Sequence, residues 1–156
     1  MIRVRIALSL SVVVLAGLAS TRTASAVCLY PGTFQSGYKV PLEQEVRSAP
    51  IIVVGNVVKA RGLAAPKDDP GYYAYWVYTV RVSEVVKGKV PPVITLYASN
   101  DSGGYRMNVG ETDLLFLRKV GNFYEADSCG NSADLAKNPE IVGHVKSKVT
   151  PDDHAP

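Results

Sequence analysis

Tyr72-Tyr73-Ala74-Tyr75-Trp76-Val77-Tyr78-Thr79-Val80-Arg81-Val82-Ser83-Glu84-Val85-Val86 is the longest strand signal in the chain. Aromatic and β-branched residues favour extended backbone, and successive side chains of a strand point to opposite faces. One face then carries Tyr72, Ala74, Trp76, Tyr78, Val80, Val82 and Val86, with Glu84 its single charged exception. The other carries Tyr73, Tyr75, Val77, Thr79, Arg81, Ser83 and Val85. Strands usually run five or six residues, so one this long is expected to bend or bulge and to serve two sheets.

Outward from this segment, the punctuation predicts four more strands. Ile51–Lys59 is a β-branched run after Pro50, and Gly62–Gly71 is a loop by composition. Gly88 and Pro91-Pro92 end the long strand, and Val93–Ala98 follows. Leu114–Val120 and Phe123–Ala126 are joined through Gly121-Asn122. Pro41–Ser48 reads as a short helix with Pro41 at its first position and Glu43 and Glu45 in the first turn, where the dipole favours them. A second short helix is expected over Asn131–Lys137, with Ser132 as its N-cap. Beyond Pro139 the pattern decays. The expected class is mainly β: a five-stranded OB-fold barrel with one or two short flanking helices.

The N-terminus carries an address. Arg3 and Arg5 precede a 14-residue apolar run, Ile6–Ala19, and Ala24-Ser25-Ala26 is a small-x-small cleavage site, the three parts of a secretory signal peptide. The run is shorter than the roughly 20 residues a spanning helix needs. Ser25-Ala26-Val27 before Cys28 is a poor lipidation signal. The expected organisation is a signal peptide over 1–26, a domain over 27–138 and a C-terminal extension over 139–156, partly disordered. The destination is the cell envelope or beyond, periplasmic or secreted. There Cys28 and Cys129 are expected to form one disulfide, with two buried free thiols as the alternative.

Composition narrows function mostly by exclusion. The 156 residues hold 17 Lys and Arg against 14 Asp and Glu. Arg3, Arg5 and Arg22 belong to the first 26 residues, which contain no acid, so the remainder is neutral. That balance argues against a dedicated nucleic-acid binder. Asn100-Asp101-Ser102-Gly103-Gly104 invites comparison with the nucleophile loop of a trypsin-like serine protease, but the only histidines, His144 and His154, lie near the C-terminus. Asp101 lacks the alternating acids of a calcium loop, Lys67-Asp68-Asp69 suits a solvated loop tip, and Gly103-Gly104 has no lysine or helix to make a phosphate cradle. No catalytic residue, metal site or cofactor is expected. The aromatic run could stack bases, as OB barrels do, but Arg81 is the only cation on that strand. Trp76 and Tyr78 are expected in the core. Tyr73 and Tyr75 are left as a face for a protein or glycan partner.

Several segments together resemble the netrin-like domain family, which includes the tissue inhibitors of metalloproteinases. They are Cys28, Ser48-Ala49-Pro50-Ile51-Ile52-Val53-Val54-Gly55-Asn56-Val57, Tyr78-Thr79-Val80-Arg81-Val82 with Val86-Lys87-Gly88, Val109-Gly110-Glu111 with Leu114-Leu115-Phe116-Leu117, and Cys129-Gly130-Asn131-Ser132. They stand in family order over residues 28–137. The resemblance implies the OB barrel with flanking helices, and a Cys28–Cys129 bridge. Family members commonly begin Cys-x-Cys; here the first position falls at Ala26 and its partner near Ser102-Gly103, so that bridge is missing whole. The resemblance also implies a binding edge at the N-terminal ridge: Val27, Cys28, Leu29 and Tyr30 beside Asp101, Ser102 and Tyr105. The expectation is a non-catalytic protein-binding module, its partner unidentified. A metalloprotease inhibitor acting through the ridge is the alternative, an extracellular metalloprotease being its candidate partner. Binding of single-stranded nucleic acid or glycan is a lesser one.

Overall fold

The structure, a computed structural model, describes residues 27–64, 73–101 and 103–150. The expected export signal over residues 1–26, Lys67-Asp68-Asp69, Tyr72, Ser102, His154 and the side chain of Tyr73 lie outside the described residues. In chain order the elements are α1 (Leu42–Ser48), β1 (Ile51–Ala64), β2 (Tyr73–Lys87), β3 (Val93–Ser99), β4 (Thr112–Val120), β5 (Phe123–Glu125), β6 (Ala133–Asp134) and α2 (Ile141–Lys146). They form one mainly β sheet in the order β1-β2-β3-β5-β4-β6. β1 also pairs with β4, so five strands close into a ring. All pairings are antiparallel except that of β3 with β5.

The long strand bulges, as its length predicts, but it serves one sheet rather than two. What it serves twice is the core. Inside the ring lies a cluster that includes Val53, Val57, Tyr78, Val80, Ile94, Leu96, Leu115, Leu117 and Tyr124. On the other side of β1 and β4, a second cluster joins Ile52, Val54, Val86, Leu114 and Phe116 to Val46 of α1 and Val145 of α2. Between Val54↔Glu84 and Gly55↔Val82 the register shifts by one residue at Ser83. A one-residue slip moves the following side chains to the opposite face. That explains Glu84: the slip carries it away from the ring interior to pair with Lys146 of α2 at 2.5 Å. Ser83 secures the bulge by donating its hydroxyl to Val54 O at 3.1 Å.

The helices are held by polar contacts as well as burial. Lys87, 7% exposed, donates Nζ to Val46 O at 2.8 Å and Arg47 O at 3.1 Å. These are carbonyls at the C-terminal end of α1, and a cation there also suits the dipole. Gly88 follows with φ +78°, where a side chain would overlap Pro50 O. Pro41 stands just outside α1 rather than at its first helical position.

Two further sequence expectations are corrected. Residues 131–137 form no helix: β6 pairs Ala133 with Leu114 and Asp134 with Asp113, and Ser132 Oγ accepts the Phe116 N–H at 3.0 Å instead of capping a helix. The edge of β4 offers buried backbone groups that need partners, and supplying them outweighs a weak local helix preference. Gly62, Leu63 and Ala64, expected in a loop, instead extend β1 opposite β2. The second helix is α2, in the stretch where the pattern decays, and its Val145 is completely buried.

Candidate functional site

Two surfaces gather the candidate residues. The first starts at the disulfide, Cys28–Cys129, with Cα atoms 5.6 Å apart. From Cys28 the chain folds into a small hairpin. Leu29 bridges Ser36, Tyr30 N–H donates to Gln35 O at 2.9 Å, and Cys28 O accepts from Gly37 and Tyr38 at 2.8 and 3.0 Å. Tyr30 and Tyr38 meet edge to face, with centroids 5.5 Å apart. Val40 N–H donates to Cys129 O at 3.0 Å and ties down the exit. The hairpin is thus fixed at its base while its apolar side chains face solvent. Val27, Leu29 and Tyr30 are 58%, 44% and 44% exposed, and Phe34 is 100% exposed.

The second surface is a cleft of about 380 Å³ where β2, β3 and β5 meet the loop after Ser99. Tyr75, Tyr97, Asp101, Arg118, Glu125 and Asp127 line it. Tyr75 sits opposite Ser99, and Val77 opposite Tyr97. Tyr97 stacks at a tilt on Phe123, centroids 4.1 Å apart. Arg118 donates to Glu125 Oε2 from Nε at 3.1 Å and Nη2 at 2.9 Å across β4 and β5. Asp101 Oδ1 accepts from Ser99 Oγ at 2.7 Å and Gly103 N–H at 2.8 Å, and these bonds hold its carboxyl below the usual range. Asp127 Oδ1 accepts the Cys129 N–H at 2.8 Å. Gly104 bridges Asp127 and packs so closely on Ser99 O that a side chain there would overlap it.

The expected ridge is therefore divided. Val27, Cys28, Leu29 and Tyr30 share the hairpin; Asp101 faces the cleft, together with Tyr75 from the alternative face. Tyr105 goes elsewhere. It packs on the ring core and donates its hydroxyl to Asp113 Oδ1 at 2.8 Å. Asp113 is 1% exposed, its Oδ2 has no hydrogen-bond partner, and burial pushes its pKa up to about 6. Burial and this carboxyl together raise the Tyr105 hydroxyl far above its ordinary value.

Sequence reasoning missed Phe34, hidden in a Gly- and Ser-bearing stretch, and also Tyr97, Phe123, Arg118, Glu125 and Asp127. The available signal was alternation: in β3 and β5, Tyr97, Phe123 and Glu125 occupy positions between buried Leu96, Ala98 and Tyr124. Among the described residues no group of three or more His, Cys, Asp or Glu is placed to hold a metal ion. No protein-family model matches the chain, and no curated protein matches it.

Proposed function

We propose that the protein is an exported, non-catalytic binding module on an OB-type barrel, and that it grips a protein partner through the disulfide-pinned hairpin. The OB reading is supported by the five-strand ring, by β5 lying between β3 and β4, and by bulges that let the long strands curl. Export rests on the sequence of residues 1–26, and the disulfide agrees with it; among the described residues no helix is long and apolar enough to cross a membrane.

One observation carries the binding surface. Of the large hydrophobic side chains exposed among the described residues, Val27, Leu29, Tyr30 and Phe34 fall within eight consecutive positions on one fixed hairpin. Scattered exposed apolar residues are ordinary, but a clustered and preordered set loses little entropy on binding and removes much apolar surface from water. The test is crosslinking and mass spectrometry of the mature protein in its native extracellular fraction, repeated with Phe34→Ala and with Leu29→Ala/Tyr30→Ala. The expected result is a discrete partner that both variants lose while keeping the wild-type melting profile. Equal capture by all three proteins would overturn the proposal.

A further inference from the structure

The cleft beside Tyr75 is a separate surface: none of residues 27–38 lines it. We propose that it is a saccharide site, holding one pyranose ring of an uncharged glycan against Tyr75 and Tyr97.

The argument begins with shape and lining. A volume of about 380 Å³ lies in the range of small-ligand clefts, which combine aromatic walls with a few placed polar groups. Tyr75 is 49% exposed, so its ring is presented rather than packed away. Tyr97, leaning on Phe123, adds a second ring whose tilt its neighbour fixes. The C–H face of a pyranose is apolar and suits such rings, while its rim is made of hydroxyls.

The polar groups match that rim. Asp101 and Asp127 are each held by backbone N–H groups through Oδ1, and Glu125 is held by Arg118 through Oε2. Each carboxylate is anchored at one oxygen, and the other can accept a sugar hydroxyl in a charge-assisted hydrogen bond. Arg118, a donor only, supplies the opposite sense to ring or glycosidic oxygens. Three carboxylates against one guanidinium make the cleft hostile to phosphate. A strand of nucleic acid, the other polymer that stacks on aromatics, would bring its charge against them. An uncharged hydroxyl-rich ligand meets no such penalty.

The test is a ¹⁵N NMR titration of the mature protein with cellotriose, maltotriose and chitotriose, each up to about 10 mM, with oligothymidylate in parallel. At least one sugar is expected to produce saturable shifts at Tyr97, Gly103 and Glu125 with a Kd of about 1 mM or tighter. Tyr75→Ala should weaken that binding about fivefold or more, and Glu125→Gln by a smaller factor, while Phe34→Ala leaves it unchanged. Three outcomes would overturn the site: no sugar moves these amides, oligothymidylate alone moves them, or Tyr75→Ala binds sugar as the wild type does. The Phe34→Ala arm separates this result from any failure of the hairpin proposal.

Discussion

Where β1 and β4 pair they are buried on both faces, whereas β3 and β5 are buried on one. Ile51, Ile52, Val53 and Val54 are all buried in sequence, as are Leu114, Leu115, Phe116 and Leu117. Alternate members of each run belong to the ring interior and to the layer beneath α1 and α2. On β3, by contrast, Ile94, Leu96 and Ala98 are buried and the positions between them are half-buried. Among the described residues no helix lines the cleft on the outer face there, where Tyr97, Phe123 and Glu125 stand. Two short helices thus divide the molecule into a half buried on both faces and a half buried on one.

The largest effect expected from this division is a contrast in stability. Leu115→Ala on the ring side and Leu114→Ala on the helix side should each cost about 2–5 kcal/mol, because both side chains are completely buried. Thr95→Ala, half-buried on the open face of β3, should cost less than about 1 kcal/mol. Urea denaturation of residues 27–156 measures all three. A Leu114→Ala variant as stable as Thr95→Ala would show that α1 and α2 do not cover β4.

How much of this division was visible beforehand follows from the same packing. The double-sided runs announce themselves as unbroken apolar segments, so β1 and β4 are legible in Ile51–Val54 and Leu114–Leu117. The alternation in β2 is legible too, but the slip at Ser83 is not, because a bulge depends on the partner strand. Glu84 was its trace, a charge on a face otherwise apolar. Ile141, Val142 and Val145 of α2 do hold a helical spacing, and Val149 packs beyond its end, yet six helical residues are too short a span for periodicity alone to establish. Tyr105 and Asp101 stand four residues apart, which gives no warning that one turns to the core and the other to the cleft.

A second, somewhat smaller effect is expected at the junction of the two surfaces. Cys28–Cys129 spans a sequence separation of 101 and joins the hairpin to the segment bordering the cleft. Replacing both cysteines by serine should destabilise the domain by about 2–4 kcal/mol, less than the full chain-entropy value, because Val40, Gly37 and Tyr38 keep their backbone bonds nearby. Hydrogen exchange should accelerate over residues 29–38 far more than over β1 and β4. Uniform acceleration would mean that the bridge supports the whole fold rather than the hairpin.

The smallest effect concerns Asp113, a buried carboxyl within the covered half. It shares the face of Leu115 and Leu117 and sits opposite Asp134 of β6, with Glu111 also near enough to disfavour its charge. Its folded pKa is raised from 3.8 to about 6, so the native state holds this proton more tightly than the unfolded chain does. Between those values the unfolded chain binds fewer protons, and stability falls as pH rises. The contribution is complete below about pH 4 and is lost as pH passes through about 6. Tyr105 works in the opposite sense, since its hydroxyl bond favours the charged carboxylate. Glu45, also raised by burial, adds a slope of the same sign, so the informative quantity is a difference between variants. Asp113→Asn keeps the shape and can still accept from Tyr105. It should remove about 1–2 kcal/mol of the wild-type loss between pH 4 and 7, measured by urea denaturation at each pH. Tyr105→Phe should push the same transition to higher pH. If Asp113→Asn and wild type follow parallel curves across that window, the carboxyl is ionised in the folded protein throughout, and the covered half tolerates a buried charge at β4.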